Sequence, residues 1–372
     1  MNDLPSPALT PKQRVHAALE RQPVDRVPIF MWYHPETTER LAKLLEIPAD
    51  RVADVMGDDI RQMWVSNNYD LAGRVLAEGE HFTDVWGIEW VREDGFNQIV
   101  RSPLTEATPE EAMKYEFPWN SVDELMGRMV PVLADKERYF IGCDVSPCVF
   151  EMYWRLRGME QGMMDLACEP EMAAELLARS GKFSCHLAEL ACTRYPIDWL
   201  WTGDDVGGQE SMMMSPGMWR EMVKPHLAEV FAVANKHNIW VAYHSDGAIH
   251  DIIPDLIEIG LDVLNPLQGN CPGMDPLELK KEFGDRLAFM GGVDTQGVLP
   301  HGSAEEVRHA TARLLEGMTS DGGGYILAAS HSVPPETPDE NIFAMYEVAG
   351  VSRAEIFDRA ASVRLEPETI LG

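Results

Sequence analysis

The chain has 372 residues, 45% of them apolar, and a net charge of −30 from 61 acidic against 31 basic residues. There is enough apolar material for a sizeable core, while the acidic surplus argues against nucleic acid, anionic membrane surfaces and polyanionic substrates. No stretch approaches the ~20 apolar residues that cross a bilayer, and none of the six cysteines stands in a Cys-x-x-Cys pair. The start, Met1-Asn-Asp-Leu-Pro5, lacks a leader pattern. A soluble, reducing, cytoplasmic protein is expected, without a zinc finger or a disulfide framework.

Apolar β-rich runs alternate with amphipathic helical runs, and no repeat or linker interrupts them. That predicts one domain over residues 1–372. Thr10-Pro11 opens the first helix as N-cap and first helical residue. Strands are predicted over residues 27–32, 60–65, 139–142, 199–202, 240–243, 263–265, 287–290 and 325–328. After the second, residues 83–92 and 96–101 flank Glu93-Asp-Gly95 and read as an antiparallel hairpin inserted over part of the strand ends. Ser215-Pro216 opens a long helix, and Asp275-Pro276 opens another that ends near Gly284. Ser303 with Glu306, and Thr337 with Glu340, have capping-box spacing. Gly350 stands where a helix-ending glycine belongs. Cys185 and Cys192, seven apart, suit a packed helix face. The fold expected is a single (β/α)8 TIM-type barrel with a small β-hairpin insertion after strand two.

In such a barrel the residues just past each strand converge on one mouth, where the chemistry is done. Here they are Tyr33 and His34, Ser66 and Asn67, Asp144, Asp204 and Asp205, His244 and Asp246, Asn265 and Gln268, Asp294, and His331. Carboxylates and imidazoles dominate, which suits a divalent cation or a cationic intermediate. His244, Asp246 and His331 form a three-ligand set for Zn²⁺, with Fe²⁺ or Mn²⁺ as alternatives, and leave a fourth position open. Asp205 and Asp204 would supply a further ligand or a carboxylate that orients a ligand imidazole. His226, His237 and His250 read as structural.

Four segments carry a family resemblance. They are Pro23-Val-Asp-Arg-Val-Pro28, Ser146-Pro-Cys-Val-Phe-Glu-Met-Tyr153, Gly291-Gly-Val-Asp294 and Ser330-His-Ser-Val-Pro-Pro-Glu-Thr-Pro-Asp-Glu-Asn341. With them the chain resembles the uroporphyrinogen decarboxylase superfamily over nearly its whole length, which implies the same barrel. The true decarboxylases carry two arginines after strand one, where this chain has Tyr33 and Thr37. Their aspartate after strand two is matched here by Ser66 or Asn67. The other branch, zinc methyltransferases that work with corrinoid proteins, places His-x-Cys after strand five and Cys after strand eight. The matching residues here are His244, Asp246 and His331. Replacing both thiolates leaves a harder Lewis acid, better matched to oxygen.

The resemblance therefore implies a metal-dependent methyltransferase that demethylates a small methoxylated, aromatic compound and passes the methyl group to a corrinoid on a separate protein. His34 or Tyr153 would protonate the leaving oxygen, and Asp205 is the third catalytic candidate. Phe30, Trp32, Tyr33, Phe150 and Trp154 would line the substrate pocket, with Asn67, Asp204 and Gln268 as polar contacts. Two alternatives stay open. One is a cofactor-free decarboxylase or lyase built on His331 and Tyr153, and the other is a non-catalytic ligand-binding barrel. A homodimer is the default assembly.

Overall fold

A computed structural model describes residues 8–66, 76–93 and 95–365. Its strands are β1 (Ile60–Trp64), β2 (His81–Thr83), β3 (Glu89–Glu93), β4 (Phe96–Arg101), β5 (Phe140–Asp144), β6 (Trp199–Gly203), β7 (Trp240–His244), β8 (Val263–Asn265), β9 (Ala288–Met290) and β10 (Tyr325–Ile326). Seven of them form one sheet in the order β1-β5-β6-β7-β8-β9-β10. The pairs β5–β6, β6–β7 and β9–β10 are parallel. Neighbours in this sheet succeed one another along the chain with helices between most of them, which is the expected α/β TIM-barrel class. Among the described residues no helix is long and apolar enough to cross a membrane. The chain divides into two compact units. One gathers residues up to 60, 137–140 and from 264 onward, and the other gathers 61–136 and 141–263.

In the first unit, Thr10 caps helix Pro11–Leu19 in a capping box with Gln13. The strand expected over 27–32 is reduced to isolated parallel bridges, Ile29 to Leu327 and Tyr33 to Val333. The cause is local. The Ile29 N–H donates to the Asp59 carboxylate at 2.8 Å and the Met31 N–H to Asp58 at 3.1 Å, so side chains replace ladder partners. Asp59 is fully buried and held by Arg14 at 2.5 Å and Arg26 at 2.7 Å. This gives Arg26 of the Pro23–Pro28 motif a physical role, because a buried carboxylate is tolerated only when it is paired and hydrogen-bonded. The Ser303–Glu306 capping box forms on helix Ala304–Met318, and Asp275 caps helix Pro276–Phe283. The Thr337–Glu340 box does not form: helix Asp339–Val348 starts after Pro338 with no side-chain cap. Gly350 takes φ 86°, as a helix-ending glycine does.

In the second unit, β5 and β6 are buried along their whole length. The expected hairpin is a three-stranded antiparallel sheet, β2-β3-β4. The predicted run 83–92 breaks because the Asp84 carboxylate accepts from the N–H groups of Trp86 and Ile88, both at 2.9 Å, turning the chain between β2 and β3. The long helix expected from Ser215 is two helices, Pro216–Met222 and Lys224–Lys236. Pro225 at the start of the second cannot continue the first without clashing with the preceding turn. Cys185 and Cys192 lie half-buried on helix Pro170–Arg194.

Candidate metal centre

The site grows from the C-terminal ends of β5, β6 and β7 in the second unit. The loops after β6 and β7 are laced together. The Asp204 N–H donates to the His244 carbonyl at 3.1 Å, and the Ala248 N–H donates to the Gly208 carbonyl at 2.8 Å. Between these, the Val206 N–H donates to Ser245 Oγ at 3.2 Å and the Asp246 N–H to Asp205 Oδ1 at 3.0 Å. Glycine is required at both crossings. A Cβ on Gly207 would collide with the Asp246 carbonyl oxygen, and one on Gly247, whose φ is +81°, would sit 2.6 Å from the Gly208 carbonyl oxygen.

This lacing brings Asp205, His244 and Asp246 together, each half-buried, with one ligand atom apiece within 4.8 Å of the others. His244 Nε2 lies 3.8 Å from Asp205 Oδ1 and 3.9 Å from Asp246 Oδ1. Metal bonds of about 2.0–2.2 Å place neighbouring tetrahedral ligands about 3.3 Å apart, so each His244–carboxylate separation would have to contract by about half an ångström on an ion. The imidazole neighbours the Trp201 indole, with ring centroids 6.2 Å apart and the planes tilted by 34°. One imidazole and two carboxylates fit a divalent cation, with a preference for harder ions than a thiolate set would show.

More carboxylates surround the group. Burial raises Asp144 to about 7, against hydrogen bonds from the Ser146 hydroxyl and N–H. Burial also raises Asp204 to about 8, although Asp204 accepts from the Val149 N–H at 2.9 Å and the Glu151 N–H at 3.0 Å. Asp204 thereby caps helix Phe150–Arg157, which is a positioning role. Glu151 on that helix is also raised by burial, opposed mainly by the Arg155 charge. Sequence reading missed Glu151. Its signal was the Arg four residues later in a segment otherwise read for its aromatics.

Phe150 and Tyr153 are wholly buried, Trp154 is partly so, and the Tyr153 hydroxyl donates to the Gly162 carbonyl at 2.9 Å. In the first unit, Phe30 and Trp32 pack edge to face at 5.9 Å. The Tyr33 hydroxyl shares a 2.6 Å hydrogen bond with Tyr346, whose own hydroxyl donates to Asp58 at 2.6 Å. His34 is buried and caps helix Pro35–Leu45 through Nδ1, which accepts from the Glu36 N–H. Gln268 is buried and His331 is exposed, both also in the first unit. Asn67 lies outside the described residues.

Residues 129–350, more than half of the chain, match the family model described as Uroporphyrinogen decarboxylase (URO-D). The chain belongs to this family. Over 364 residues it is 23% identical to the "Methylcobamide:CoM methyltransferase MtaA" of Methanosarcina barkeri, covering 90% of this chain and 96% of that protein. A uroporphyrinogen decarboxylase of Thermus thermophilus is 28% identical over 141 residues, 36% of this chain and 37% of that protein. A solved structure, a methyltransferase from Methanosarcina mazei, shares the fold with TM-score 0.66 at 18% identity, covering 92% of this chain and 98% of that one.

Proposed function

We propose that this URO-D family member is a metal-dependent methyltransferase. In this reading it demethylates a small methoxylated, aromatic compound and passes the methyl group to a corrinoid held on a separate protein. The observation that carries the reading is the coincidence of two features. Similarity to a methylcobamide methyltransferase runs over nearly the full length, and a His/Asp/Asp group gathers at the ends of β6 and β7. Asp205, His244 and Asp246 would hold Zn²⁺, Fe²⁺ or Mn²⁺. His331 is proposed as a further ligand on sequence position alone. The bound ion would supply Lewis acidity toward the ether oxygen.

A reduced corrinoid on the separate protein would supply the nucleophile that accepts the methyl group as its bond to oxygen breaks, and the departing oxygen would take a proton from a side chain of this chain. The chain's own groups divide the remaining work. The loop lacing would position His244 and Asp246. His34, with Nδ1 accepting from Glu36, carries its neutral-state proton on Nε2 and is the proposed donor to the leaving oxygen. Tyr153, committed to Gly162, is the weaker donor. The direct assay incubates the protein with a methoxyphenol and chemically reduced cobalamin and follows methylcobalamin by its absorbance. The reading expects formation that stops in His244→Ala; formation of equal rate in that variant removes the metal role.

The match to a Thermus thermophilus decarboxylase favours one other reading, cofactor-free decarboxylation. The positions of that branch's arginines hold Tyr33 and Thr37, whose hydroxyls are engaged by Tyr346 and the Val333 carbonyl. A substrate with many carboxylates would therefore find no guanidinium at these two positions. Carbon dioxide release that survives chelation is the result that would favour the decarboxylase.

A further inference from the structure

Helix Phe150–Arg157 brings an ion pair against the site. Arg155 Nη2 lies 2.5 Å from Glu151 Oε1, and Glu151 Oε2 accepts from the Asp205 N–H at 3.4 Å. Asp205 in turn accepts from the Asp246 N–H. The other end of the chain of contacts reaches the inserted antiparallel sheet. The Arg155 guanidinium lies over the Trp90 ring of β3, 5.6 Å from its centroid. Trp90 Nε1 donates to Asp84 at 2.8 Å, which fixes the ring. Both members of the pair are buried, with side-chain exposures of 10% for Arg155 and 11% for Glu151, so their geometry is held by packing rather than averaged by solvent.

A buried guanidinium paired with Glu151, whose other carboxylate oxygen accepts from the Asp205 N–H, is an unexpected neighbour for a cation site. By charge alone it should weaken binding of a dication. Its geometry suggests a different purpose. We propose that Arg155, stacked on Trp90 of the insertion, holds Glu151 in place, so that the Glu151–Arg155 pair is a positioning device that presents Asp205 to the metal. The inference rests on the metal reading above. It gives the β2-β3-β4 insertion a task, which is to brace a ligand loop through Trp90. It also explains why Glu151 is turned toward Arg155 and the Asp205 backbone: held there, it orders the ligand loop.

The test titrates Co²⁺ into metal-free full-length protein and follows the visible ligand-field bands. Wild type that binds no Co²⁺ overturns the metal reading and this inference with it. Given wild-type binding, charge and positioning predict opposite signs for Arg155→Met. Removal of a nearby positive charge alone would tighten Co²⁺ binding. Loss of positioning weakens it roughly tenfold, the usual scale for a residue that orients a ligand, and shifts the band envelope. Arg155→Lys keeps the charge without the planar fork and should remain several-fold weaker than wild type, with Trp90→Leu behaving alike. Far-UV circular dichroism and the metal-free melting temperature check that each variant is folded. Unchanged or tighter Co²⁺ binding in folded Arg155→Met overturns the positioning role while leaving the metal site standing. If that variant does not fold, wild-type affinity in Arg155→Lys overturns it equally.

Discussion

At the residue scale, His244 is the group on which the site depends. It is the imidazole of the gathered set, and its Nε2 faces both carboxylates. His244→Ala is expected to lose the bound ion with the fold intact, read by elemental analysis beside circular dichroism; an unchanged metal content would remove His244 from the ligand set. Tyr346 makes a separate point about stability. Its hydroxyl joins Tyr33 to the buried Asp58, and burial pushes both phenols upward, so they stay protonated. Tyr346→Phe withdraws that hydroxyl from two partners and should cost about 1–3 kcal/mol in urea unfolding. A cost near zero would show that the relay contributes nothing. Ser66, which the sequence places at the mouth, is buried, and Asn67 lies outside the described residues.

At the element scale, the site depends on how closely two loops approach. Gly207→Ala inserts a methyl group against the Asp246 carbonyl oxygen. It should part the β6 and β7 loops and reduce metal affinity roughly tenfold, as read by Co²⁺ titration; wild-type affinity would mean the lacing does not set the ligand geometry. The β2–β3 turn gives a pH-dependent prediction. Burial raises the Asp84 carboxyl from 3.8 to about 6. The folded chain therefore holds this proton more tightly than the unfolded chain. Its charge lowers stability at pH 7, and stability returns as pH falls through 6. Between pH 7 and 5, wild type should gain about 1 kcal/mol relative to Asp84→Asn. A pH-independent difference would contradict the raised value.

Seven of the eight expected sheet strands form; β5 and β6, buried along their whole length, read as apolar runs, whereas the largely half-buried β1 carries Arg61 and Gln62. The first was misread because Asp58 and Asp59, distant in sequence, take the N–H groups a neighbouring strand would use. The expected hairpin gained a third strand for a similar reason, since the turn at Asp84 is made by a side chain and leaves no mark on periodicity. His244 and Asp246 were legible as a pair on one loop with Asp204 or Asp205 as a further ligand, and the structure groups Asp205 with them. Which carboxylate of the Asp204-Asp205 pair faces the histidine is decided by the helix that Asp204 caps, and no local pattern reveals that. Tyr153, a further catalytic candidate of the sequence, lies wholly buried with its hydroxyl donating to the Gly162 carbonyl.

At the scale of the whole molecule, a chain of net charge −30 concentrates buried acids around one half-buried imidazole, within a URO-D family fold shared with methyltransferases. Acids so placed repel one another, and a bound dication relieves that repulsion. Chelation should therefore lower the melting temperature of the purified protein, and Mn²⁺ or Zn²⁺ should restore it; a chelator-insensitive melting curve would argue against a resident ion. The most direct measurement of the central claim is the metal content of the purified protein by elemental mass spectrometry, with the Asp205→Ala/His244→Ala double variant alongside. The account predicts about one divalent transition-metal ion per chain in the wild type and none in the variant. No ion in the wild type after reconstitution, or an equal content in the folded variant, would contradict it.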